Sequence, residues 1–209
     1  VSGGRTLLAG PEAAAEAAAV CRAGGVVVYP TETVYGLGCD PFQAQAVARV
    51  RAVKGRDALK PMLAVTDAWP RAERWFAEVP AALAPVLEHE PPLAVTVVLP
   101  AGPAAPEALV SAEGTVAVRR SSDPFVAALV AATGAPVLST SANRAGEPPA
   151  SGFAALDPAV LSAVDLAVDA GRPLGGTPST VVTVREGALV VLREGAVPLA
   201  ALQALVRAG

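Results

Sequence analysis

Lysine occurs at two positions in this 209-residue chain and arginine at fourteen, and both lysines fall in Lys54-Gly55-Arg56-Asp57-Ala58-Leu59-Lys60-Pro61. An ammonium is a compact charge with rotatable donors, whereas a guanidinium is a planar fork that pairs bidentately with carboxylate or phosphate. Lys54, Arg56 and Lys60 together suit a crowded anion such as a polyphosphate, and the plainer reading is a solvated charge cluster.

Three further polar segments stand beside apolar runs. Pro30-Thr31-Glu32-Thr33-Val34-Tyr35-Gly36-Leu37-Gly38 leaves one run through proline and returns through two glycines, placing two hydroxyls, a carboxylate and a phenol on a constrained turn. Ser139-Thr140-Ser141-Ala142-Asn143-Arg144-Ala145-Gly146 gathers three hydroxyls, an amide and a guanidinium, groups that hydrogen-bond phosphate oxygens or a purine. The stretch from Gly171 to Thr180 is a polar entry into a β-branched run and says little alone. Arg119-Arg120 closes a predicted strand, where an arginine either clamps a carboxylate or is solvated.

Several chemistries fail on spacing. No G-x-x-x-x-G-K-[ST] occurs, Gly36-Leu37-Gly38 lacks the third glycine of a dinucleotide fingerprint, and there is no G-x-S-x-G elbow. The single histidine, His89, lies in Glu88-His89-Glu90-Pro91-Pro92 and reads as a surface or packing residue, which argues against a serine hydrolase. With one histidine and two distant cysteines, Cys21 and Cys39, no ordinary metal set can form, so the thiols read as buried and reduced.

The elements that must position these groups follow from periodicity and breakers. Helices are expected over Pro11–Arg22, Pro41–Val53, Ala81–Glu88, Pro124–Thr133 and Leu199–Arg207. Short β-branched runs predict strands at Val26–Tyr29, Met62–Thr66, Val95–Leu99, Thr115–Arg119, Pro136–Ser139, Leu166–Asp169, Thr180–Val184 and Leu189–Arg193. This alternation without strict βαβ regularity predicts an α/β fold with a twisted, open, mixed sheet and flanking helices. The polar segments lie at strand ends, where such sheets collect ligands.

The chain carries no repeat or long linker and reads as one domain spanning residues 1–209. A hydrophobic share of 53% supports a substantial core, yet no run reaches the ~20 apolar residues of a membrane span, and no signal peptide is legible. A cytoplasmic protein is expected. The net charge of −3 argues against broad electrostatic binding of nucleic acid but leaves room for a local cationic pocket.

Taken in order, P-T-E-T-V-Y-G-L-G at 30–38, K-G-R-x-x-x-K-P at 54–61, T-V-A-V-R at 115–119, S-T-S-A-N-x-x-G at 139–146 and S-T-V-V at 179–182 closely resemble the YrdC/TsaC family, the threonylcarbamoyl-AMP synthases. The resemblance implies a sheet around a large cationic cavity. It also implies synthesis of L-threonylcarbamoyl-AMP and pyrophosphate from L-threonine, bicarbonate and ATP, the donor for threonylcarbamoyl-adenosine in tRNA. Lys54 and Arg56 are then the electrostatic catalysts, cleft cations whose loss impairs adenylation more than folding. Arg56, Lys60, Thr115, Ser141, Asn143 and Arg193 would hold ATP, while Thr33, Arg119, Ser139 and Ser179 would hold threonine.

By the same resemblance Mg2+ enters on the ATP phosphates without a protein cage, and the product passes to a tRNA-modifying transferase complex, with a weak tRNA contact. Longer relatives often show asparagine before the proline and histidine shortly after, where this chain has Lys60 and Val65. Two other functions fit the residues: an RNA- or nucleotide-binding module of the same fold, and a carbamoyl-adenylate enzyme with another substrate. Salt-dependent RNA binding marks the first, and loss of threonine dependence the second.

Overall fold

The computed structural model describes residues 5–55 and 62–208. Its ten strands are β1 (Arg5–Leu8), β2 (Val27–Tyr29), β3 (Gly36–Cys39), β4 (Leu63–Thr66), β5 (Val95–Pro100), β6 (Thr115–Arg120), β7 (Val137–Ser141), β8 (Leu166–Asp169), β9 (Thr180–Arg185) and β10 (Ala188–Arg193). They form one sheet in the order β1-β8-β2-β3-β7-β4-β6-β5-β9-β10. Parallel pairs (β1/β8, β8/β2, β4/β6, β5/β9) mix with antiparallel ones, so the expected mixed α/β architecture is the one observed.

Two helices cover part of one face. In α1 (Pro11–Arg22) the buried residues Ala13, Ala14, Ala17, Ala18 and Cys21 recur at helical spacing, and their small side chains let α1 lie close against α4 (Pro124–Thr133). Asp123 caps α4 by accepting the Phe125 N–H, and Pro124 takes the first helical position, where no donor is needed. Beneath them lie Val27, Tyr29, Val65, Val137, Leu166 and Val168. The opposite face, with Leu37, Leu138, Ala64, Val118 and Val97, packs against α2 (Ala44–Lys54), α5 (Pro158–Ser162) and α6 (Leu199–Ala208) in the larger core. Each fully buried Val or Leu there contributes about 1.5–3 kcal/mol.

Several boundaries differ from the sequence expectation. α2 starts at Ala44 rather than Pro41 because the Asp40 carboxylate takes the Phe42 N–H and the Asp40 carbonyl takes the Gln43 N–H, closing a turn that competes with helix. The expected helix Ala81–Glu88 is a 3₁₀ turn (Ala81–Leu83) followed by the short α3 (Ala84–Leu87), since Pro85 has no N–H to continue the ladder. Strands β1 and β3 were not expected. β3 hides in the first polar segment because glycine weakens the strand signal, yet a Cβ on Gly38 would sit 2.1 Å from the Leu138 carbonyl oxygen, so the β3–β7 approach requires glycine. Among the described residues no helix is long and apolar enough to cross a membrane.

Candidate active site

Strands alternate their side chains, so the face that carries Val65 and Val137 under α4 also carries Ser139 and Ser141 of β7 and Arg119 of β6. Beyond the helices, a cavity of about 300 Å³ opens on this face among the described residues. Its wall includes Thr31, Thr33, Tyr35, Ser139, Ser141, Asn143, Glu147, Ser179, Arg119 and Arg193.

The first segment closes on itself. Thr31 Oγ1 accepts the N–H groups of Thr33 and Val34 and donates to the Val34 carbonyl at 2.7 Å. With that proton committed, Thr33 is the donor in the 3.0 Å Thr31–Thr33 hydroxyl pair. Arg119 Nη1 in turn donates to Thr33 Oγ1 at 2.8 Å. The chain of bonds runs one way and ends in the backbone, so Thr33 holds Arg119 in place rather than offering a proton to a ligand.

Arg119 is 5% exposed at its position in β6, and its Nε has no hydrogen-bond partner among the described residues. Glu32 also approaches it, with Oε1 3.5 Å from Arg119 Nη1, while its Oε2 accepts a hydrogen bond from Ser121 Oγ. Burial pushes the neighbouring Asp123 carboxyl above its usual range, opposed by the Phe125 N–H and Arg172 and reinforced by Glu32.

The second wall is the serine segment, where the strand expected to end at Ser139 continues as β7 to Ser141. Lys54, at the C-terminus of α2, donates to the Ser141 carbonyl at 2.7 Å, Asn143 Oδ1 at 3.0 Å and Ser141 Oγ at 3.3 Å. Its own carbonyl accepts the Ala145 N–H. Gly55 then ends α2 in the left-handed conformation, φ 56°, a geometry that glycine adopts without strain. Asn143 spends its amide donors on the Arg144 and Glu147 carbonyls, bracing the loop. Ser141 accepts from Lys54, which leaves its O–H for the cavity.

A third wall comes from the entry to β9. Ser179 Oγ and Thr96 Oγ1 are 2.8 Å apart and buried, and Arg193 Nη2 donates to the Ser179 carbonyl. Tyr29, wholly buried beneath Ser139 and Gly36, has its hydroxyl pKa raised by burial and therefore stays neutral.

Of the expected site residues, Thr33, Arg119, Ser139, Ser141, Asn143, Ser179 and Arg193 meet in this one cavity. Thr115 stands apart at the other end of β6, four residues or roughly 13 Å from Arg119, with its hydroxyl 2.9 Å from Ser111. Lys54 corrects the picture of an exposed cleft cation, for it is 4% exposed and woven into the serine segment. Arg56 and Lys60 lie outside the described residues. Thr31 and Tyr35, whose hydroxyl and phenol the sequence places on the first polar segment without a ligand role, also line the cavity, as does Glu147, for which the sequence carries no signal. Val65, where longer relatives often have histidine, is buried under α4.

Comparison with known proteins agrees with this fold. The family model Sua5_yciO_yrdC, described as "Telomere recombination", matches residues 19–195. A threonylcarbamoyl-AMP synthase of Xanthomonas euvesicatoria is 42% identical over 177 residues, covering 83% of this chain and 94% of that protein. Among solved structures, P. abyssi Sua5 complexed with L-threonine superposes with a TM-score of 0.84 at 28% identity, covering 97% of this chain. E. coli YciO does so with a TM-score of 0.85 at 25% identity, covering 97% of this chain and 100% of its own. This chain spans only 59% of the Sua5 chain. A family match across most of the sequence, on the same sheet that holds Arg119 and the serine segment together, places the chain in the Sua5/YciO/YrdC family.

Proposed function

We propose that the protein condenses L-threonine, bicarbonate and ATP into L-threonylcarbamoyl-AMP and pyrophosphate. The observation that carries this reading is a nearly buried arginine, Arg119, set in a wall of hydroxyls and held there by Thr33. Such a group suits the carboxylate of a small amino acid, and the adjoining Ser141 hydroxyl, left free to donate, suits a phosphate or nucleotide oxygen. The similarity to named threonylcarbamoyl-AMP synthases and to a Sua5 structure containing L-threonine supports the assignment.

The chemistry asks for alignment and charge neutralisation rather than a covalent nucleophile. The threonine amine, once deprotonated, adds to CO2 from bicarbonate to form a carbamate. A carbamate oxygen then attacks the α-phosphorus, the P–O bond to the β-phosphate breaks, and pyrophosphate leaves. In this reading Arg119 and Ser179 orient threonine with Ser139, and Ser141 donates to the nucleotide. Arg193 fixes Ser179 and faces the anion. Arg56 and Lys60 supply positive charge to the triphosphate, which brings Mg2+ with it. Lys54 acts through Ser141 and Asn143. The product passes to a tRNA-modifying transferase in the cytoplasm.

Pyrophosphate release from Mg-ATP and bicarbonate, with and without L-threonine, tests the proposal. Release that needs threonine and that demands much more threonine in Arg119→Gln supports it. Active, folded protein without threonine dependence points to a different carbamoyl-adenylate, and RNA binding without turnover to a binding module.

A further inference from the structure

Glu32 is odd for a residue so close to an anion-binding arginine. It places a negative charge 3.5 Å from Arg119, yet the pair is poorly made: the contact is monodentate, and among the described residues neither Glu32 Oε1 nor Arg119 Nε, both buried, finds a hydrogen bond. The good hydrogen bonds lie elsewhere, from Arg119 to Thr33 and from Ser121 to Glu32 Oε2. Ser121 is itself fixed, accepting the Asp123 N–H, and Asp123 is paired with Arg172 at 2.7 Å. Glu32 is therefore anchored to the base of α4 and kept just short of full engagement with the arginine. Its Oε1 is shut off from the cavity, so Glu32 acts through Arg119 and not on a ligand directly.

A buried arginine without a counterion carries a large desolvation penalty, and one fully paired with an internal carboxylate has little left for a ligand. A half-made pair lies between these limits. We propose that Glu32 is a built-in competitor for Arg119, an internal counterion that keeps the guanidinium neutralised in the empty site and limits the affinity for the incoming carboxylate. The inference rests on the reading that Arg119 receives the threonine carboxylate. Its value to an enzyme is that ground-state binding stays moderate, so substrate binding energy is not wasted in a deep well and the product carboxylate can leave.

Glu32→Gln tests the idea because the amide keeps the size and a hydrogen bond with Ser121 while removing the negative charge from beside Arg119. A unit charge several ångströms from a carboxylate, at an effective dielectric near 20, is worth about tenfold or more in affinity. Calorimetric titration with L-threonine should then give a Kd about tenfold lower in Glu32→Gln than in wild type. L-threonine amide, which lacks the carboxylate charge, should bind both proteins alike. The variant should also show a lower melting temperature when empty and a larger upward shift on adding threonine. Ser121→Ala keeps the competitor's charge and frees it to engage Arg119 fully, so threonine should bind more weakly there. That variant carries the test if Glu32→Gln does not fold.

A Glu32→Gln protein that binds threonine as wild type does, or less tightly, overturns the competitor role. If wild type binds L-threonine and its amide equally and Arg119→Gln changes nothing, the placement of the carboxylate on Arg119 has failed, and the inference falls with it. Lower stability alone, with no carboxylate-dependent change in affinity, would reduce Glu32 to a structural role and overturn it as well.

Discussion

Replacing Lys54 by methionine should unfold the serine wall before it does anything to charge at the triphosphate. The ammonium donates to three acceptors on two residues, Ser141 and Asn143, in a site that is 4% exposed. A hydrogen bond from a charged group contributes about 1.5–3 kcal/mol net, and acceptors left unpaired in a buried site add their own penalty. The bonds share one donor and are not additive, and methionine recovers part of the apolar stem, so the sum is smaller than three such terms. A loss of about 3 kcal/mol is expected. In a chain of this size each kcal/mol moves Tm by about 2–4 °C, which gives a fall of roughly 6–12 °C. Thermal unfolding followed by circular dichroism measures it, and threonine-dependent pyrophosphate release per folded molecule, taken well below Tm, separates stability from turnover. A variant with wild-type Tm and no activity would refute the reasoning, because it would make Lys54 a catalytic charge with no structural share.

Other consequences are as direct. Arg119→Gln should raise the threonine KM by about 10²-fold, the loss of one charge-assisted pair, and leave the KM for ATP within about twofold. Gly38→Ala should destabilise by about 3 kcal/mol in chemical denaturation, because its Cβ meets backbone at 2.1 Å and β3 must move off β7. Cys21, pushed up to about 12 by burial and then by Asp40, and Cys39, raised likewise, keep their protons in the folded state. A thiol reagent should therefore leave the native protein unmodified at pH 8. Above about pH 9 the unfolded chain releases these protons and the folded one does not, so stability falls as pH rises, and Cys21→Ala should flatten that fall. Partial burial raises the Asp165 pKa, but the fork of Arg49 and the Val26 N–H outweigh it, so the net shift is downward. Its contribution is present above about pH 4 and lost below; Asp165→Asn should remove that acid limb, by under about 1 kcal/mol because the pair is exposed.

What the sequence makes legible depends on whether a signal is local. Apolar alternation and proline and glycine punctuation report each strand's own burial, so most strands and the helices α1, α4 and α6 can be read without the fold. β3 cannot, because glycines that look like loop residues are there to let another backbone approach, and that partner is a hundred residues away. The same rule divides the site. Residue types announce an anion pocket, since serine, threonine, asparagine and arginine cluster at strand ends. Their division of labour is a tertiary fact: only the structure reveals that Thr33 has already given its proton to Thr31, that Asn143 is spent on the loop, and that the lysine most conspicuous in the sequence is buried under the wall it was expected to face. Composition can nominate a charge for catalysis, but whether that charge meets the ligand or holds the residue that does is decided by burial and by which acceptors it already satisfies. Arg119, with a half-made ion pair and an Nε that no described residue binds, keeps hydrogen-bonding capacity in reserve for the proposed ligand, whereas Lys54 commits its ammonium to Ser141 and Asn143.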